Sequence, residues 1–208
     1  MQRLALLFIG SAVFLMSFTM PATVNKGDKP ARTATAGRTS VFVVNNNESK
    51  LTWTGKKVTG QHHGTINITD GKLEMTNNVL KSGSFSLDTR SILVTDVKDE
   101  GSNAKLLKHL KSEDFFSVEK FPAATFVTTG INNKGNSQYE ITGNLTIKGI
   151  SNPITFPATV TVTGNKLTAK AAITVDRTKY NIRYGSKSFF EGIGDKAIYD
   201  NFDLDVML

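Results

Sequence analysis

Over most of the chain after Val41, hydrophobic and polar residues alternate one by one, the period of strands with one buried face and one wet face. In Tyr139–Lys148 the odd positions Tyr139, Ile141, Gly143, Leu145 and Ile147 alternate with Glu140, Thr142, Asn144, Thr146 and Lys148. In Ile154–Thr163 the apolar set is even, Ile154, Phe156, Ala158, Val160 and Val162. Shorter alternations follow the same rule at Ile66/Ile68, Leu73/Met75, Phe85/Leu87, Ala169/Ala171/Ile173/Val175 and, at the C-terminus, Ile198, Phe202, Leu204, Val206 and Leu208. Turns are expected at Asp70-Gly71, Lys81-Ser82-Gly83, Asn132 to Gly135, Lys148-Gly149 and Gly164-Asn165, where glycine and asparagine tolerate turn geometry. Antiparallel strands joined by short turns predict a mainly β domain, either barrel or sandwich.

One segment departs from period two. From Ser102, Leu106, Leu107 and Leu110 share a helical face, which predicts a short helical insertion near residues 102–116. Ser102 or Asn103 is the expected cap, Ser112 a second cap before Phe115 and Phe116, and Pro122 the end of the excursion. A single amphipathic helix in a β protein needs an apolar surface, such as the flank or mouth of a barrel.

The chain divides into three parts. Arg3 precedes the apolar run Leu4–Phe18, and small residues follow around Ala22, so residues 1–22 are expected to be a secretory signal directing the protein to a periplasm or outside the cell. At about 1.5 Å per helical residue that run falls short of a hydrocarbon layer of about 30 Å. Residues 23–40 have Val24 as their one large aliphatic side chain and are expected to form a disordered tether, leaving 41–208 as one domain.

Composition narrows the chemistry. The 208 residues contain no cysteine, which removes disulfides, thiolate metal sites and cysteine nucleophiles from consideration. A net charge of +7 favours anionic surfaces or ligands. His62 and His63 are adjacent, and on a strand they point to opposite faces, so they do not clasp one metal together; their expected role is a hydrogen-bonding one at a strand entrance. Asp96, Asp99, Glu100, Glu113 and Asp114 cluster around the helical segment, where acidic residues complement the helix dipole. No nucleophile elbow, phosphate-binding loop, zinc-protease or dinucleotide fingerprint is present, so neither catalytic residues nor a cofactor or metal is expected. Arg177, Lys179 and Arg183, interleaved with Tyr180 and Tyr184, are candidates for an anionic group or a solvated loop. A small barrel can be filled by its own side chains or can hold one small ligand, and the mixture of small residues (Gly143, Ala158, Ala169, Ala171) with large ones (Trp53, Phe85, Phe126, Phe156) suits either.

Several segments, in order and spacing, resemble the YceI-like family of exported bacterial proteins, also described as polyisoprenoid-binding. They are SKLTWTGKKVTGQHHGTI, GSFSLDTRSI, LKSEDFFSVEKFPAATF, YEITGNLTIKGISNPITFP and DRTKYNIRYGS, spread over roughly the whole of 41–208. The resemblance implies a lipocalin-like antiparallel β-barrel of about eight strands. Its apolar pore would receive the isoprenoid tail of a lipid or quinone-like molecule, with helices near one opening. The function it implies is non-enzymatic lipid binding, as a carrier or in a stress response. On that reading the pore is expected to be lined by Trp53, Phe85, Leu87, Phe126, Leu145, Ile147, Phe156 and Ile173, with Leu106, Leu110 and Phe116 as lid or flank and Arg177, Lys179 and Arg183 as the site of an anionic headgroup. Phe189 and Phe190 would lie near a mouth. The expected partner is an isoprenoid lipid or another long apolar ligand and not a nucleic acid, with transient membrane-surface contact and homodimer formation both left open. The alternatives are a filled-core binding or structural module acting through its basic surface, and a metal enzyme built on His62 or His63 with His109.

Overall fold

The computed structural model describes residues 37–208. The expected signal segment and all but the last residues of the expected tether lie outside the described residues. The chain runs β1 (Thr39–Val43), β2 (Lys50–Lys57), β3 (Gly60–Thr76), β4 (Val79–Val94), α1 (Glu100–Lys111), β5 (Ala123–Gly135), β6 (Gln138–Ile147), β7 (Ile150–Thr163), β8 (Lys166–Asp176) and β9 (Ile198–Met207). β1 therefore begins two residues before the expected boundary at Val41.

Each strand from β2 to β9 pairs antiparallel with its neighbours in sequence, and β9 returns to pair with β2. The result is a closed up-and-down barrel of eight strands. Closure leaves no strand of the barrel with one whole edge free, as the outer strands of an open sheet have. β1 lies outside this cycle, paired with the last residues of β3 from Lys72 to Thr76, beyond the part of β3 that pairs with β2. The alternation read from the sequence is the in–out alternation of the wall: Tyr139, Ile141, Leu145 and Ile147 are buried, as are Phe156, Ala158 and Val160.

The tight turns are set by left-handed residues. Asn77-Asn78, Asn136-Ser137 and Lys148-Gly149 each place two consecutive residues at positive φ, the requirement of a two-residue hairpin of the I′ kind. Two expected turns are not turns. Asp70-Gly71 lies within β3 and Lys81-Ser82-Gly83 within β4. Both glycines stand where a large side chain from across the wall needs room: a Cβ on Gly71 would meet Phe85 Cδ1 at 2.6 Å, and one on Gly83 would meet Leu73 Cδ2 at 2.8 Å. Similarly, β5 continues to Gly135, and the chain reverses one residue later.

The helix is shifted from its expected span of 102–116. Asp99, not Ser102 or Asn103, is the N-cap, its Oδ1 accepting from the Ser102 N–H at 2.8 Å. Asn103 instead ties α1 to the barrel, its Nδ2 donating to the Val94 and Val97 carbonyls at 3.0 Å each. Ser112 ends α1 rather than starting a second helix, because both its N–H and its Oγ donate to the His109 carbonyl. Residues 113–116 consequently form turns that carry Phe115 and Phe116 under the end of the barrel.

Candidate functional site

The inward face of the barrel is nearly all hydrocarbon, and it is not filled. Two chambers lie end to end. The one at the β1 end is lined by residues that include Leu51, Ile68, Leu73, Phe85, Phe126, Ile141, Phe156 and Ile173 and has a volume of about 100 Å³. The one under α1 is lined by residues that include Trp53, Ile66, Ile92, Leu110, Phe115, Phe116, Ile147 and Ile182 and has a volume of about 110 Å³. Leu87, Leu145 and Leu204 line both and form the neck between them.

The aromatic residues leave this space open because they lie against glycines. The Phe126 ring covers Gly143, so closely that a Cβ there would stand 2.5 Å from Phe126 Cε2. Phe85 lies over Gly71, its direct cross-strand partner. Trp53 also packs on Gly64, though there it is the Leu93 carbonyl oxygen, overlapping the place where a Cβ would stand, that excludes a side chain, and the indole N–H donates to that same carbonyl at 3.2 Å. A ring seated on a bare strip of backbone follows the wall instead of crossing the lumen. Phe126 also packs on Phe156, with ring centroids 5.4 Å apart in a tilted arrangement.

The eight residues expected to line a pore all face this interior: Phe85, Phe126, Phe156 and Ile173 in the β1-end chamber, Trp53 and Ile147 in the helix-end chamber, Leu87 and Leu145 at the neck. Leu110 and Phe116 line the helix-end chamber, while Leu106 packs against the cluster behind it without lining the space. Leu51, Ile68, Ile141, Ile154 and Leu204 also line the interior. Alternation with Trp53, Leu145, Phe156 and Val206 carried the signal for all of these but Ile68, which alternates with Ile66.

The three basic residues do not form one cluster. Arg177 is buried, at 4% exposure. Its guanidinium donates to three main-chain carbonyls, Ile182 at 2.8 Å, Tyr199 at 3.0 Å and Ile198 at 3.1 Å, and its Nη2 lies 3.6 Å from Asp200 Oδ1. Burial lowers its pKa, partly offset by Asp200 and Asp176. Arg177 thus bolts the 177–200 loop to the barrel, with three of its five N–H donors on main-chain carbonyls and its guanidinium buried at the edge of the helix-end chamber, apart from the exposed Lys179 and Arg183 beside which it was expected. Those two are exposed, and Arg183 stacks over the Phe189 ring at 4.6 Å. Phe189 and Phe190 are 45% and 51% exposed on the same loop, beside Tyr184 at 47%.

The histidines act as fasteners. His62 Nδ1 is 2.8 Å from Asp96 Oδ2, and the His63 main-chain N–H donates to Asp96 Oδ1 at 3.1 Å. Burial opposes ionisation of Asp96, but these hydrogen bonds outweigh it and hold the carboxyl below its ordinary range. His109 is engaged elsewhere, edge-on to Tyr184 and Phe115 and 3.2 Å from Asp114. Among the described residues, no group of three or more His, Asp or Glu is arranged to hold a metal ion.

A closed antiparallel barrel with an apolar, partly vacant lumen defines a class of proteins built around an interior rather than a surface cleft. Residues 42–208 match the family described as the YceI-like domain, and the chain belongs to that family. A UPF0312 protein of Shewanella denitrificans is 35% identical over 95 residues, 46% of this chain and 47% of that protein. The chain thus aligns with about half the length of this curated relative. The crystal structure of Burkholderia cenocepacia BcnA shares the fold with a TM-score of 0.64 at 23% identity, covering 79% of this chain and 97% of that one. A polyisoprenoid binding domain from Saccharophagus degradans, implicated in plant cell wall breakdown, shares it with a TM-score of 0.56 at 10% identity over 82% and 97% of the two chains.

Proposed function

We propose that the barrel is a non-enzymatic binding domain that holds one linear isoprenoid-type chain, threaded through both chambers past the Leu87–Leu145–Leu204 neck. The observation that carries this is the seating of Phe85 on Gly71 and Phe126 on Gly143, which spends two inward positions on keeping the lumen free. A filled core would place side chains there. The polyisoprenoid binding domain from Saccharophagus degradans, which shares the fold, supports the choice of ligand class.

The volumes set a scale. One water-sized position needs about 10–15 Å³ by this measure, so the two chambers together offer roughly fourteen to twenty such positions, the carbons of three or four isoprene units. At about 0.8 kcal/mol per buried methylene, each five-carbon unit contributes about 4 kcal/mol on a transfer scale. Three units exceed most of a typical association cost of about 4–15 kcal/mol without any polar contact. A head carried by the chain remains outside, where Lys179 and Arg183 are exposed to meet an anionic group. The Phe189-Phe190 pair with Arg183 suits transient contact with an anionic membrane surface. With the apolar N-terminal run of the sequence, this supports an exported lipid carrier.

Native mass spectrometry of protein purified from its own host tests the proposal, followed by titration with a farnesyl-linked fluorophore. Co-purification of an apolar chain, or saturable uptake of one probe per barrel, is expected. A uniformly empty barrel that also refuses the probe would refute it.

A further inference from the structure

The wall has a gap. β7 and β8 pair from Ala158↔Ala171 to Thr163↔Lys166 and no further. Beyond that point β7 stays paired with β6 and β8 with β9. The sequence explains why. The Val160 N–H donates to the Ser137 carbonyl on the β6 side, so even positions of β7 turn their main-chain groups toward β6 and odd positions toward β8. Pro153 and Pro157 are both odd. Their missing N–H groups therefore cost the β6–β7 ladder nothing and remove two donors that a continued β7–β8 ladder would use.

The gap is closed above by Asn152, whose Nδ2 donates to the Lys179 carbonyl at 2.9 Å. At its foot it is framed by Pro157 and by the small side chains of Ala158, Ala171 and Ala172. A groove of about 550 Å³ lies on the outer wall there, and it shares Ala158, Lys170, Ala171 and Val206 with the lining of the β1-end chamber. Groove and chamber are there separated by a single layer of wall, at the last paired rungs Ala158↔Ala171 and Thr159↔Lys170. Both ends of the barrel are covered by side chains. Leu110 of α1 and Phe115 just after it are buried at one end, and at the opposite end Phe42 and Leu208 pack on the core while Glu48 and Lys166 form an ion pair. A second gap, between the β1-end halves of β4 and β5, is bridged by the Gly83 N–H to Thr128 Oγ1 bond at 2.9 Å and plugged by Leu80 at 1% exposure.

We propose that the apolar chain enters and leaves the barrel sideways, through a window between β7 and β8 that Pro153 and Pro157 keep from zipping shut. This rests on the binding function proposed above. A lateral entrance lets a long chain slide in along its length while its head stays in water or at a membrane surface.

The absence of native cysteine makes the test direct. Continuing the register places Thr155 opposite Thr174, so the pair Thr155→Cys/Thr174→Cys is bridged with a short bis-maleimide. The control pair Glu48→Cys/Lys166→Cys is bridged across the β1 end. Uptake and release of a farnesyl-linked fluorophore are followed by stopped flow. Bridging the window is expected to slow both by about tenfold or more at unchanged affinity, and bridging the end to slow neither. Without any reagent, Pro153→Thr/Pro157→Val restores both donors and is expected to slow exchange in the same sense. Equal rates in the bridged and unbridged window pair, with wild-type rates in the proline variant, would overturn the window, as would equal slowing by the end bridge. Failure of the unmodified protein to take up the probe would overturn the binding function itself, a distinguishable result.

Discussion

Leu145 is where the interior can be cut in two. It lies on β6, is 4% exposed, and with Leu87 and Leu204 lines both chambers. Leu145→Trp places an indole across the neck and confines any ligand to one chamber of about 100 Å³, roughly seven to ten water-sized positions. On that scale about seven to ten carbons fit and fifteen do not. In the wild type the third isoprene unit finds space beyond the neck and adds up to about 4 kcal/mol, so farnesyl probes are expected to bind up to roughly a thousand-fold more tightly than geranyl probes with the same head. In the variant that ratio is expected to fall below about tenfold, with geranyl affinity changed far less. Overpacking costs about 1–3 kcal/mol of stability, so thermal unfolding is measured alongside to confirm that the variant is folded at the assay temperature. Fluorescence titration with the two probes reads the ratio. A folded Leu145→Trp protein that keeps the full farnesyl preference would refute the two-chamber, single-chain arrangement.

Other outcomes follow from the same geometry. Gly143→Ala drives a methyl into the Phe126 ring and tips it into the lumen; farnesyl affinity and the melting temperature should both fall, with a stability loss of about 1–3 kcal/mol by calorimetry. Arg177→Gln breaks three carbonyl hydrogen bonds of a buried cation and should cost about 3 kcal/mol in urea unfolding, whereas Arg183→Gln on the exposed loop should stay within about 0.5 kcal/mol. Burial, with a lesser contribution from Asp176, pushes the Tyr180 hydroxyl from 10.0 up to about 12. The folded state then keeps a proton that the unfolded chain releases, so stability is lost as the pH rises above 10, and ultraviolet titration should show one tyrosine ionising late. Because the Tyr180 hydroxyl has no hydrogen-bond partner among the described residues, Tyr180→Phe should leave the neutral-pH stability unchanged or raised while removing that alkaline loss.

Much of this molecule was legible in its sequence because strand periodicity is a local property. Alternation along Tyr139–Lys148 and Ile154–Thr163 named the inward face of β6 and β7, including Leu145, Ile147 and Phe156, which face the lumen. Glycine was read less well. Gly71 and Gly83 carry the composition of turns, yet they serve as recesses for Phe85 and Leu73, a role fixed by what stands opposite on another strand. Arg177 reads as a surface cation beside Lys179 and Arg183, and only the fold of the 177–200 loop brings three carbonyls around it.

The sequence by itself determined the strands, their buried faces and a helix near residue 105, since each depends on neighbours a few positions away. Whether the enclosed volume was filled or vacant was decided by tertiary structure alone. Closure of β9 onto β2 sets which rings meet which glycines, and packing depends on distances between residues far apart in the chain. The same holds for the gap beside Pro153 and Pro157: proline withholds a donor wherever it stands, but only the register shows that both withheld donors face β8.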